Sequence, residues 1–66
     1  MKIVVNGSVQ SVEGSADVTT ILESLGYEPR SVAIAVNGEF VSRRVYRETR
    51  LKDGDAIEVV APMQGG

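Results

Sequence analysis

The 66-residue chain has no cysteine, no histidine and no tryptophan, and only two prolines and one phenylalanine. Without Cys there is no disulfide, and the best side-chain nucleophile is missing. Without His the commonest side-chain general base is missing too, and a zinc site of the usual N/S type cannot be assembled. A chain of this size makes one small domain, and with no staple it must stand on a small hydrophobic core. Hydrophobic residues at 42% and charged residues at 24% are nevertheless ordinary globular content, well away from disorder. Any chemistry is left to carboxylates, Lys, Ser/Thr, Tyr or a chain terminus.

Basic excess is also lacking. Seven Lys plus Arg against nine Asp plus Glu give a net charge of −2, opposite in sign to the basic footprint of a nucleic-acid binder. The one concentration of positive charge is Arg43, Arg44, Arg47 and Arg50, diluted by Glu48. Its ordinary reading is a solvated connecting segment. A contact to an acidic patch on a protein partner comes second, since Arg fixes orientation across interfaces, and nucleic acid third. Long apolar runs are absent as well: residues 1–5 are too short for a signal sequence and nothing reaches membrane-spanning length. The expectation is a cytoplasmic protein with neither membrane nor nucleic acid as partner.

What is present is regular punctuation by glycine. Residues 2–5 form a β-rich run ending at Asn6-Gly7, the strongest short hairpin signal, and 8–12 return as a second strand. Asp17 is placed to cap a helix whose Val18, Ile21, Leu22 and Leu25 fall on one stripe. Gly26 and Pro29 stop it. A helix of two turns does not hold alone, so the stripe must lie on a sheet. Residues 31–36 read as a buried strand closed by a second Asn-Gly at Asn37-Gly38, and 39–41 as a short return. Residues 43–50 are irregular with one turn of helix at most; Lys52-Asp53-Gly54-Asp55 is a tight turn. Residues 56–61 are the last strand, which Pro62 ends.

The order β-β-α-β-β-β predicts an α+β domain over 1–61: a mixed sheet of about five strands with one main helix packed on one face, and a tail over 62–66. Period-two counting puts Ile3, Val5, Ile34, Val36, Ile57 and Val59 under the helix. The uncovered face then carries Val4, Ala33, Ala35 and Val60, joined by Phe40, a convergence of apolar residues that suits a protein-binding patch.

Attention then falls on the end of the sequence, Met63-Gln64-Gly65-Gly66. Two terminal glycines arise by chance in roughly one chain in two hundred at average usage. The ordinary reading is a frayed tail or an expression scar. The functional reading is a carboxylate at Gly66 carried on a thread slim enough for a narrow channel, with a reach on the order of 16–18 Å from Pro62 if extended.

With that tail, the strand order, the run Ala33-Ile34-Ala35-Val36-Asn37-Gly38-Glu39-Phe40-Val41, the Arg43 and Tyr46 positions, Leu51-Lys52-Asp53-Gly54-Asp55 and Ile57-Glu58-Val59-Val60, the chain resembles the ubiquitin-like sulfur carriers of the ThiS/MoaD family. The likeness runs over essentially the whole chain and suits the compact thiamine-pathway branch better than the somewhat longer molybdopterin carriers. The resemblance implies a β-grasp fold and a carrier that is itself no enzyme. An E1-like adenylyltransferase (ThiF-type) using ATP and Mg²⁺ is expected to activate the Gly66 carboxylate, and a persulfide donor to convert it to a thiocarboxylate. A thiazole synthase (ThiG-type) is expected to accept the sulfur. Met63, Gln64 and Gly65 are the residues expected to thread into partner active sites, and the uncovered face to bind the partner. No cofactor and no metal is expected on this chain.

Other readings stand beside it: a carrier of the same family serving molybdopterin, cysteine or another sulfur-containing product, and a non-carrier β-grasp binding module with an incidental Gly-Gly. Few aromatic residues (Tyr27, Tyr46 and Phe40) count against RNA. An independent enzyme built on Asp53, Asp55 and Glu58 ranks last, since such a stretch is ordinarily a turn and a solvated strand face.

Overall fold

The computed structural model describes residues 1–14 and 16–61. Five strands, β1 (Lys2–Val5), β2 (Ser8–Ser11), β3 (Ala33–Val36), β4 (Glu39–Val41) and β5 (Ala56–Val60), form one sheet in the order β2-β1-β5-β3-β4. A single α-helix, α1 (Val18–Ser24), covers one face. β5 is central, parallel to β1 and antiparallel to β3; the two hairpins flank it. This is the β-grasp arrangement expected from the sequence.

Both Asn-Gly pairs turn with positive φ at each residue: Asn6 at 50° and Gly7 at 87°, Asn37 at 51° and Gly38 at 86°. That matches the twist of a two-residue hairpin and fixes the registers, so Val4 faces Val9 and Ala35 faces Phe40. The two asparagines do more than tolerate the turn. The Asn6 side chain lies along β5, donating from Nδ2 to the Val59 carbonyl (3.2 Å) and accepting from the Val59 N–H at Oδ1 (2.8 Å). The Asn6 N–H donates to the Ile57 carbonyl (3.0 Å), so the asparagine extends the β1–β5 ladder beyond the end of β1. Asn37 does the same on the other flank. Its Oδ1 accepts from the Ala56 N–H (3.0 Å), its Nδ2 donates to Asp55 Oδ1 (3.0 Å), and its N–H donates to the Ala56 carbonyl (2.7 Å).

The core is the expected one with additions. Ile3, Val5, Ile34, Ile57 and Val59 meet Val18, Ile21 and Leu22, all buried, while Val36 and Leu25 are only half-buried at its margin. Each such aliphatic side chain contributes roughly 1.5–3 kcal/mol by leaving water. Val32, Tyr46 and Leu51 also belong to the core, although the periodicity argument did not place them there.

Three local expectations need correction. The third strand begins at Ala33 rather than at residue 31, because Pro29–Ser31 close into a 3₁₀ turn with Pro29 at its start. Residues 43–48 are a six-residue 3₁₀ helix, Arg43–Glu48, which packs against α1 through buried Tyr46. Asp17 occupies the N-cap of α1 with an extended backbone but makes no cap bond from its side chain. Its Oδ1 instead accepts from the Thr20 hydroxyl (2.7 Å), which spends the carboxylate on a side chain one turn on. The strand ends also contract, to Ser11 and to Val60, though the Val12 N–H still donates to the Met1 carbonyl at 2.8 Å.

Candidate functional site: the open sheet face and the end of the central strand

Opposite α1 the sheet is bare. Alternation along each strand brings the expected residues to that face: Val4, Ala33 and Ala35 half-buried within the sheet, Phe40 (73% exposed) and Val60 (63%) standing out of it. Phe40 lies opposite Ala35 and Val60 opposite Ala33, so the two large side chains flank the two alanines. Val9 (67% exposed) belongs to the same face and was missed. The signal was available, because a two-residue turn at Asn6-Gly7 forces Val9 opposite Val4. Ala56 and Glu58 share the face by the same period-two rule, four and two residues before Val60.

β5 delivers the chain to the edge of this face. Val60 is paired with Ala33, Val59 is clasped by Asn6, and Ala61 is the last described residue before the tail. The end of β5 is thereby held on both flanks by hydrogen bonds. Met63, Gln64, Gly65 and Gly66, the tail residues singled out from the sequence, lie outside the described residues.

Several of the remaining charged candidates have structural partners. Arg43 Nε donates to the Val32 carbonyl (3.2 Å), and the Tyr46 hydroxyl donates to the same oxygen (3.0 Å), using both of its lone pairs. Burial pushes the Tyr46 phenol pKa up, partly offset by the Arg43 charge. Arg50 forms a backbone bridge with Asp17 that ties the segment before α1 to the segment before β5. Arg30, Arg43, Arg44 and Arg47 line an open groove beside α1 together with Glu23, Glu28 and Glu48, so both signs of charge meet there. Of the carboxylates once grouped as a cluster, Asp53 accepts from the Lys2 N–H (2.7 Å) and Asp55 from the Lys52 N–H (2.8 Å). The Lys52 N–H, then the Asn37 side chain, hold the Asp55 carboxyl below the usual carboxylate range. Asp17 is lowered likewise, chiefly by the Thr20 hydroxyl. Glu58 stands apart on the open face. No group of three or more metal-ligating side chains occurs among the described residues, and no helix there is long and apolar enough to cross a membrane.

The structure thus places an exposed apolar sheet face beside the end of the central strand. Comparison with known proteins gives this geometry a lineage. The ThiS family model matches residues 3–66. The chain belongs to the ThiS family. Among ThiS-family relatives, the sulfur carrier protein ThiS of Thermus thermophilus is 39% identical over 61 residues, covering 92% of this chain and 94% of that one. The crystal structure of the thiamine biosynthesis protein ThiS from Geobacter metallireducens superimposes with a TM-score of 0.82 at 38% identity, with each chain fully covered. A thiazole synthase of Paramagnetospirillum magneticum is 38% identical over 66 residues. The match takes in all of this chain but only 20% of that protein, so the ThiS-family chain spans about a fifth of the thiazole synthase it resembles.

Proposed function

We propose that this ThiS-family chain is the sulfur carrier of thiamine biosynthesis, with the Gly66 carboxylate as the sulfur-bearing group. The observation that carries the reading is the family match running through residue 66, which includes both glycines of the tail. A carboxylate is a poor acyl electrophile, since its charge is delocalised and oxide would have to leave. An E1-like adenylyltransferase removes that obstacle by joining the Gly66 carboxylate to AMP, with MgATP consumed and pyrophosphate released. A persulfide's outer sulfur then displaces AMP at the acyl carbon to give an acyl disulfide. A thiol reductant cleaves that S–S bond, leaving the thiocarboxylate on Gly66 and a disulfide on the donor side. The thiocarboxylate is ionised at neutral pH and nucleophilic at sulfur, which suits it to deliver sulfur to thiazole synthase. ATP and Mg²⁺ are the activating enzyme's ligands and this chain binds neither; it is a protein cosubstrate, working in the cytoplasm where such partners are found.

In this reading residues 1–61 are the recognition domain and 62–66 the delivery arm. Gly65, Gln64 and Met63 thread into the partner's active site, where glycine admits the backbone that a larger residue would block. The open face of Val4, Ala33, Ala35, Phe40 and Val60 docks on the partner and aims the arm. The thiazole synthase of Paramagnetospirillum magneticum supports that partner class, because a ThiS-like segment is joined within it to the rest of the protein. The test is deletion of Gly66. The shortened chain keeps its fold and no longer supports pyrophosphate exchange by the activating enzyme; full exchange with the deletion variant refutes the reading.

A further inference from the structure

One charged residue stands in the middle of the open face, whose β1 side also carries Lys2 and Asn6 by the same alternation. Glu58 is exposed on the central strand, with Ala56 and Val60 two residues to either side along β5. Ala35 is directly opposite on β3, and Phe40 lies beyond it on β4. Glu is among the residues depleted in strands, whereas its neighbours Ile57, Val59 and Val60 are of the β-branched type a sheet favours. Any protein that covers the apolar residues around it must also cover the carboxylate, and a desolvated carboxylate is strongly unfavourable unless a cation meets it. The face is therefore matched to a partner that is apolar around a central positive charge.

We propose that Glu58 is the specificity-determining residue of the open face, accepting an Arg or Lys side chain of the thiazole synthase at the centre of a largely apolar contact. The inference rests on the carrier reading and adds the partner's chemistry to it. Phe40 and Val60 supply contact area; Glu58 supplies register, since only one placement of the partner puts its cation over the carboxylate. The distinction from a merely solubilising charge is sharp. A solubilising glutamate hinders binding slightly, and an apolar replacement improves the contact.

The experiment measures binding of the purified carrier to thiazole synthase from the same organism by calorimetry, at low and high salt, for the wild type, Glu58→Val, Glu58→Lys and Glu58→Asp. Because Glu58 is exposed, each variant keeps its fold, which thermal melting checks. Loss of one member of a covered charge pair predicts a fall in affinity on the order of 30-fold or more for Glu58→Val. Glu58→Lys falls further, and Glu58→Asp recovers part of the affinity with wild-type salt dependence. Equal or tighter binding by Glu58→Val overturns the inference while leaving the carrier reading intact, and so does dimerisation of that variant with unchanged partner affinity. Failure of the wild type to bind thiazole synthase overturns the partner assignment and this inference together.

Discussion

Asn6 shows how much one side chain does in a core this small. It adopts the positive φ the hairpin requires, and its amide also bonds both backbone groups of Val59 on the strand that launches the tail. Glycine satisfies the first requirement and not the second. Asn6→Gly therefore keeps the turn and loses two hydrogen bonds, with an expected cost of about 1–3 kcal/mol in urea unfolding; an unchanged midpoint contradicts the clamp. Asp55 offers a second residue-scale test. Its folded pKa is depressed, so its contribution is present above the unfolded value near 3.8 and is lost as pH falls through the lower folded value. Asp17 acts in the same direction. Stability should decline below about pH 4, the ordinary range of a free carboxyl, and Asp55→Asn should decline less steeply there than the wild type when unfolding is followed across that range.

At the scale of elements, the informative piece is the 3₁₀ helix Arg43–Glu48. Ser42 caps it by accepting from the Arg44 N–H at Oγ (3.3 Å), and Tyr46 pins it to the start of β3 through the Val32 carbonyl. Tyr46→Phe removes one of two donors to that oxygen and leaves Arg43 to serve it. The expected loss is about 0.5–1.5 kcal/mol by thermal or urea unfolding, the net worth of one hydrogen bond. A larger loss would mean Arg43 does not hold the carbonyl alone. This segment also marks where sequence reading stopped. The hairpins were legible because Asn-Gly dictates a turn and the turn dictates register; the helix was legible because Val18, Ile21 and Leu22 share a stripe. Val32, Tyr46 and Leu51 carry no period, since a 3₁₀ turn and two irregular segments bring them to the core from three places in the chain. The asparagine clamps were illegible for a related reason. They join residues 53 and 19 positions apart, and no local pattern announces such a contact. On the open face, Val9 was readable and overlooked, whereas the exposure of Phe40 became certain only once its pairing with Ala35 was fixed.

For the whole molecule, division of labour explains the composition. A domain of this size buries only about 60% of the surface its unfolded chain exposes, and here one face of the sheet takes nearly all of that burial. The second face is left apolar and uncovered, and the central strand, held from both flanks, carries the chain out beside it. Histidine and cysteine are dispensable if the reacting atom is added to the end of the chain and the catalysis belongs to partners. The central claim is that the Gly66 carboxylate exchanges oxygen for sulfur. Intact mass spectrometry after incubation with the ThiF-type adenylyltransferase, MgATP, a persulfide donor and a thiol reductant tests it most directly. The account predicts a gain of about 16 Da, the difference between sulfur and oxygen, dependent on ATP and confined to the C-terminal peptide; an unchanged mass, or a gain mapped anywhere but Gly66, contradicts it.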